Sequence, residues 1–123
     1  MPIAWEFRST LLAVTETGLV PNREIQRAFL GEALSDARSG PGTRVLWDAR
    51  ESETPLSAED VAWRTETLSS LAQRGVLSRF ALILRADQRD SLALGRSQMP
   101  KAVHPLQFGV FTQESEALAW LRS

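Results

Sequence analysis

The 123-residue chain has no cysteine, no tyrosine and one histidine. Without cysteine there is no disulfide framework, thiolate nucleophile or zinc-thiolate site. Any metal site or Ser-His-Asp apparatus would hang on His104 alone. His104 sits between Val103 and Pro105 with no second histidine to join it, so no metal and no cofactor are expected. Charge of one sign is also missing. Fourteen basic against fifteen acidic side chains leave a net charge of -1, which disfavours nucleic acid as a partner. Long apolar runs are absent too: no window approaches the ~20 apolar residues of a membrane span. Residues 1–18 carry Glu6, Arg8 and Glu16 and no apolar stretch of signal-peptide length. The chain therefore reads as cytoplasmic, with no integral membrane association. Gly40 and Gly42 flank Pro41 in a helix stop and lack the phosphate-cradling pattern. The pairs Glu51/Glu53 and Glu114/Glu116 fall in a loop and in a helix's first turn, and give no support to acid-base work on glycosides. Nearly all the basic residues are arginine and alanine is abundant, a composition of GC-rich coding genomes.

With 43% hydrophobic and 24% charged residues the chain has one domain's worth of ordinary globular composition, read as a single domain over 1–123. Ile3, Trp5 and Phe7 alternate with Ala4, Glu6 and Arg8, and a second strand-like run follows from Leu11 to Thr17. Only Ser9 and Thr10 separate the two, so they form an antiparallel hairpin. Asn22 reads as the N-cap of a helix from about residue 23 to Arg38, with Ile25, Phe29, Ala33 and Ala37 stepping by four; Gly40 and Pro41 stop it. Thr43 to Asp48 is a third strand, followed by an exposed loop from Ala49 to Leu56. Ser57-Ala-Glu-Asp60 starts a helix that reaches Arg74, with Gly75 as its cap. Phe80 to Leu84 is apolar on both faces, as in a strand covered on each side. A weakly patterned helix spans Asp87 to about Gln98, Leu106 to Val110 is the last strand, and Thr112 caps a final helix burying Ala117, Leu118 and Leu121. The order β-β-α-β-α-β-α-β-α predicts an α/β layered domain, a mixed sheet of about five strands whose later members are parallel.

In such sheets ligands sit beyond the carboxyl ends of the parallel strands. A candidate ligand rim there comprises Asp48, Arg50, Ser57, Arg85, Asp87 and Thr112; the same groups would also serve as caps, turns and surface ion pairs. Taking Val61, Leu68 and Ala72 as inward, Trp63 falls nearly opposite them beside Glu59 and Glu66. That makes these three a candidate interaction surface, since exposed tryptophan marks binding hot spots; the alternative is a Trp63 folded over its own helix or under the Glu51 to Leu56 loop. Trp5, Trp47 and Trp120 read as core. Leu92, Met99 and Val103 form a candidate lid, on a segment whose thin apolar stripe, Gly95 and Pro100 leave it weakly held.

The hairpin, the Arg44-Val-Leu-Trp-Asp48 strand with its polar loop and long helix, the Arg79-Phe-Ala-Leu-Ile-Leu84 strand, and the closing Phe111-Thr-Gln-Glu-Ser-Glu-Ala-Leu-Ala-Trp-Leu121 together resemble SpoIIAA-like proteins. These are grouped with STAS domains and described alongside the CRAL-TRIO lipid-binding fold. The resemblance spans nearly the whole chain and implies a bacterial, non-enzymatic binding or regulatory module. In STAS anti-anti-sigma proteins a serine at the amino end of the helix after the third strand is phosphorylated, usually within Asp-Ser and small residues. Ser57 takes the comparable position in a different context, Pro55-Leu56-Ser57-Ala58-Glu59, where helix capping alone accounts for it. The resemblance thus implies a protein partner; the alternative is a carrier or sensor of a small apolar or lipid-like ligand, and a homodimer is a third reading.

Overall fold

The computed structural model describes residues 3–8, 11–36, 41–54, 58–88 and 107–123, with 58 and 61 described by their backbone alone. Strands β1 (Ile3–Arg8) and β2 (Leu11–Gly18) form the predicted hairpin, in register from Ile3 opposite Glu16 to Arg8 opposite Leu11. Helix α1 opens as Asn22–Glu24 and runs on through Ile25–Ala33, followed by β3 (Thr43–Ser52), α2 (Ala58–Gln73), β4 (Leu77–Ile83), β5 (Gln107–Phe111) and α3 (Glu114–Leu121). Each of β3, β4 and β5 lies parallel to the strand before it, so the sheet order is β1-β2-β3-β4-β5. This is the mixed α/β sheet that the alternation of elements predicts. The order itself follows no sequence signal.

Strand alternation sorts the apolar residues onto two faces. Leu12, Val14, Val45, Trp47, Ala49 and Phe80 pack with Ile25, Ala28, Phe29 and Ala33 of α1 and with Leu71 and Ala72 of α2. Leu11, Leu46, Ala81 and Ile83 pack on the opposite face with Ala117 and Leu121 of α3. An aromatic row crosses the first face: Phe29 meets Trp47 edge-on at 5.0 Å, Trp47 stacks on Phe80 at 5.7 Å, and Phe80 on Phe108 at 5.6 Å. Such pairs stabilise by about 0.5–1.5 kcal/mol each beyond the area they bury.

Several boundaries differ from the predicted ones. Helix α1 ends at Ala33 instead of Arg38, and from Ile25 onward it is wound with bonds five residues back, as from Leu34 N–H to Phe29 O at 2.9 Å. Asn22 is not its cap: Pro21 occupies that position, and the Asn22 side chain reaches across to α2. Strand β3 continues four residues past Asp48. Its pairing with β2 passes from Thr15–Asp48 to Thr17–Glu51, so β3 carries one extra residue, a bulge, before Gly18 meets Ser52. The charges of Arg50 and Glu51 hide this continuation from a pattern reading. Strand β4 starts at Leu77, earlier than Phe80. Helix α2 stops as expected: Gly75 takes a left-handed φ of 77°, its N–H bonds to Ala72 O at 3.0 Å, and Val76 N–H bonds to Leu71 O at 2.9 Å. This is the paired closure that favours glycine.

Helix α3 is not capped by Thr112; Gln113 stands at its N-cap and makes no side-chain capping bond. Arginines from the sheet hold it instead. Arg8 pairs with Glu114 at 3.1 Å, Arg44 donates to Leu121 O, and Arg79 donates to Trp120 O at 2.8 Å and Ser123 O at 2.9 Å. Cations at carbonyls of a helix's last turn also favour its dipole. Residues 86–88 form a helical turn, and the remainder of the predicted helix over Asp87 to Gln98 lies outside the described residues.

Candidate functional site

Four of the predicted rim residues meet, though not as an open site. Asp48 lies within β3 rather than at its end, and accepts three bonds from Arg50: backbone N–H at 3.1 Å, Nε at 3.0 Å and an NH2 donor at 2.8 Å. Burial pushes the Asp48 carboxyl upward, but the hydrogen bonds and charge of Arg50 outweigh it and hold the group below the ordinary aspartate range. Arg85 pairs with Asp87 at 3.2 Å and donates to the carbonyl of Arg50. The side chain of Asp87 is likewise lowered, chiefly by its bond from Arg85. Gln88 ties this turn to β3 by donating to Ala49 O at 2.9 Å and Ser52 O at 3.2 Å. Each arginine is thus spent on its own carboxylate. Thr112 sits half-buried between β5 and α3, and no hydrogen bond joins it to the other four among the described residues. Ser57 and the lid residues Leu92, Met99 and Val103 lie outside the described residues.

Trp63 is also placed differently from its predicted position. It is half-buried and packs against the larger core cluster, as Leu68 does. Leu71 explains the shift: it is buried, and at eight residues from Trp63 it lies about 80° from it around α2, between Trp63 and the stripe of Leu68 and Ala72. Adding Leu71 to the inward stripe rotates the buried face toward Trp63, and a long indole spans the rest. Glu59 and Glu66, four residues before and three after Trp63, are exposed as expected. The three share one side of the helix.

The most elaborate polar arrangement was not anticipated. It centres on Glu16, whose side chain lies on the α1/α2 face of the sheet after Leu12 and Val14, with 2% of its surface exposed. Trp47 Nε1 donates to its Oε1 at 3.0 Å, Ser52 Oγ donates to its Oε2, and the guanidinium of Arg64 lies 3.6 Å away. The β3 bulge makes this possible. Unbroken alternation would turn Ser52 to the face of Asp48, and one extra residue brings it beside Glu16. Around this core, Thr54 accepts Val20 N–H at 2.7 Å and donates to the carbonyl of Gly18, which also receives Glu53 N–H at 2.8 Å. Gly18 ends β2 with a φ of 67°, a turn that a side chain would strain. Arg64 donates to Asn22 Oδ1 at 3.3 Å and Val20 O at 3.4 Å, while Asn22 donates to Asp60 Oδ1 at 3.1 Å. No buried side-chain polar atom lacks a partner among the described residues. The signal was present in the sequence: the inward alternation of β2, continued two residues past Val14, lands on Glu16.

None of this forms a metal centre, since no cluster of three ligating side chains occurs among the described residues. What the network does is join the end of β2, the bulged end of β3, the start of α1 and the second turn of α2.

Two solved structures are similar to this chain in overall fold. One is an uncharacterized protein of the DUF3478 family from Shewanella loihica PV-4, with a SpoIIAA-like fold: TM-score 0.59, 22% identity, covering 97% of this chain and 91% of that one. The fold is SpoIIAA-like. The second is an anti-sigma factor antagonist from Mycobacterium paratuberculosis, at TM-score 0.57 and 15% identity over 98% of this chain and 93% of that one. Both likenesses bear on fold alone. No family model and no curated protein matches the sequence. Within the SpoIIAA-like frame, the described helices of this chain include none long and apolar enough to cross a membrane.

Proposed function

We propose that this SpoIIAA-like chain is a non-enzymatic regulatory module that acts by binding a protein partner, with Glu59, Trp63 and Glu66 of α2 as the contact surface. The observation that carries the reading is Trp63 itself: a half-buried indole, anchored on the core and flanked along one side of the helix by two exposed carboxylates. Aromatic anchors of this kind, fixed at the base and open at the rim, concentrate binding energy. The structural likeness to an anti-sigma factor antagonist supports the same class of function. The alternative ligand, a small apolar molecule, would need room beneath the helices, where Phe29, Trp47, Phe80 and Phe108 pack ring to ring in a row. Both aspartates described at the rim are ion-paired with an arginine, which supports a non-enzymatic role.

Affinity capture from cells, read by native mass spectrometry, tests the reading. The wild-type chain should retain a protein of defined mass, and Glu66→Arg should lose it while keeping the wild-type melting transition. Trp63→Ala should lose it as well, at a stability loss of about 1–2 kcal/mol, below the ~3–5 kcal/mol of emptying a core tryptophan site. A retained small molecule, a doubled mass of the chain alone, or a capture indifferent to both variants would overturn the proposal.

A further inference from the structure

We infer that Arg64 is a releasable bracket that sets the docked position of α2, and that its charge on buried Glu16 is what makes the position two-state. One guanidinium draws together three acceptors from separate places: Glu16 at 3.6 Å on β2, Val20 O at 3.4 Å in the connection, and Asn22 Oδ1 at 3.3 Å at the start of α1. All three distances exceed the ~2.7–2.9 Å of a tight charge-assisted bond. The Arg64 side chain keeps 22% of its surface exposed, so it has a path to solvent. Glu16 has none. Its bonds from Trp47 and Ser52 come from neutral donors on the sheet, and Arg64 is the one cation within ion-pair distance of it among the described residues.

This asymmetry gives the device its character. With Arg64 in place, the buried carboxylate has a counter-charge and α2 is tied at its second turn to both β2 and α1. With Arg64 withdrawn, Glu16 is left as an uncompensated charge in the core, a strongly unfavourable state. A lift of the first two turns of α2, far enough to admit water to it, relieves that state. Closed and lifted positions are therefore separated rather than continuous, and the part that moves carries Glu59 and Trp63. The inference does not depend on what α2 binds.

Hydrogen exchange on the full chain tests it, in the wild type, Arg64→Ala, Glu16→Gln and the double variant. Arg64→Ala should speed exchange of the α2 amides from 62 to 68 by tenfold or more, while amides of Phe80 to Ile83 in β4 change less than twofold. Glu16→Gln added to Arg64→Ala should bring α2 back to within threefold of the wild type, since a neutral amide can meet Trp47 and Ser52 without a cation. Recovery of folding in the double variant, where Arg64→Ala alone does not fold, supports the inference equally. Unchanged α2 exchange in Arg64→Ala, equal acceleration of α2 and β4, or a double variant as loose as the single one would overturn it; so would a double variant that also fails to fold.

Discussion

Asp48 is held by one arginine two positions along its own strand, through three hydrogen bonds. Its carboxyl therefore titrates lower in the folded chain than in the unfolded one. The sign follows: the contribution is fully present above the ordinary aspartate value of 3.8 and drains away as the pH falls through it toward the lower folded value. Asp48→Asn should cost about 1 kcal/mol near neutral pH, a figure kept small because the pair is partly exposed, and should flatten the acid limb of stability measured by urea melts between roughly pH 2 and 5. An acid limb as steep in the variant as in the wild type would count against this role. The residue types of the rim were legible because strand ends and turns select polar groups. Their mutual neutralisation was not, because spacing of two along a strand says nothing of whether an arginine folds back or reaches out. Glu16 shows the converse. A charged residue at an inward position is a conflict between pattern and chemistry, and it is resolved only by Trp47, Ser52 and Arg64, which arrive from 31, 36 and 48 residues away.

At the scale of elements, each described strand and helix was readable from its apolar period, and apart from the Gly75 stop of α2 their ends were not. The predicted ends relied on local side-chain chemistry, whereas β3 is prolonged by its neighbour β2 and α3 is held by arginines of distant strands. Gly109 of β5 illustrates how closely α3 approaches. A Cβ built there would lie 2.8 Å from Cε2 and 3.0 Å from Cζ of Phe111, and 3.6 Å from Trp120. Phe111 cannot simply swing away, since its ring packs on Trp120 at 5.6 Å. Gly109→Ala should therefore destabilise by about 1–3 kcal/mol through overpacking, against the usual gain from replacing a strand glycine. A thermal melt with an unchanged or higher midpoint would show that α3 is free to shift outward.

For the molecule as a whole, the sheet grows in chain order, with the larger core between it and α1 and α2 and the smaller one beneath α3. That division was foreseeable in kind, from the double-sided apolar run of β4, but the assignment of helices to faces rests on long-range pairing that no local window contains. The aromatic row has a spectroscopic consequence. The chain has four tryptophans and no tyrosine, so its ultraviolet-excited emission is tryptophan emission alone. Trp47 is the one fully buried among the indoles, and its N–H rests on the Glu16 carboxylate. Stacked on Phe80 and crossed by Phe29, it sits in a fixed, asymmetric surrounding, the condition for a strong near-ultraviolet dichroic band. Trp47→Phe should remove the shortest-wavelength component of the emission and most of that band. The protein thereby carries its own optical gauge at the place where Glu16 and Arg64 meet, and the state of α2 can be followed by light without any label.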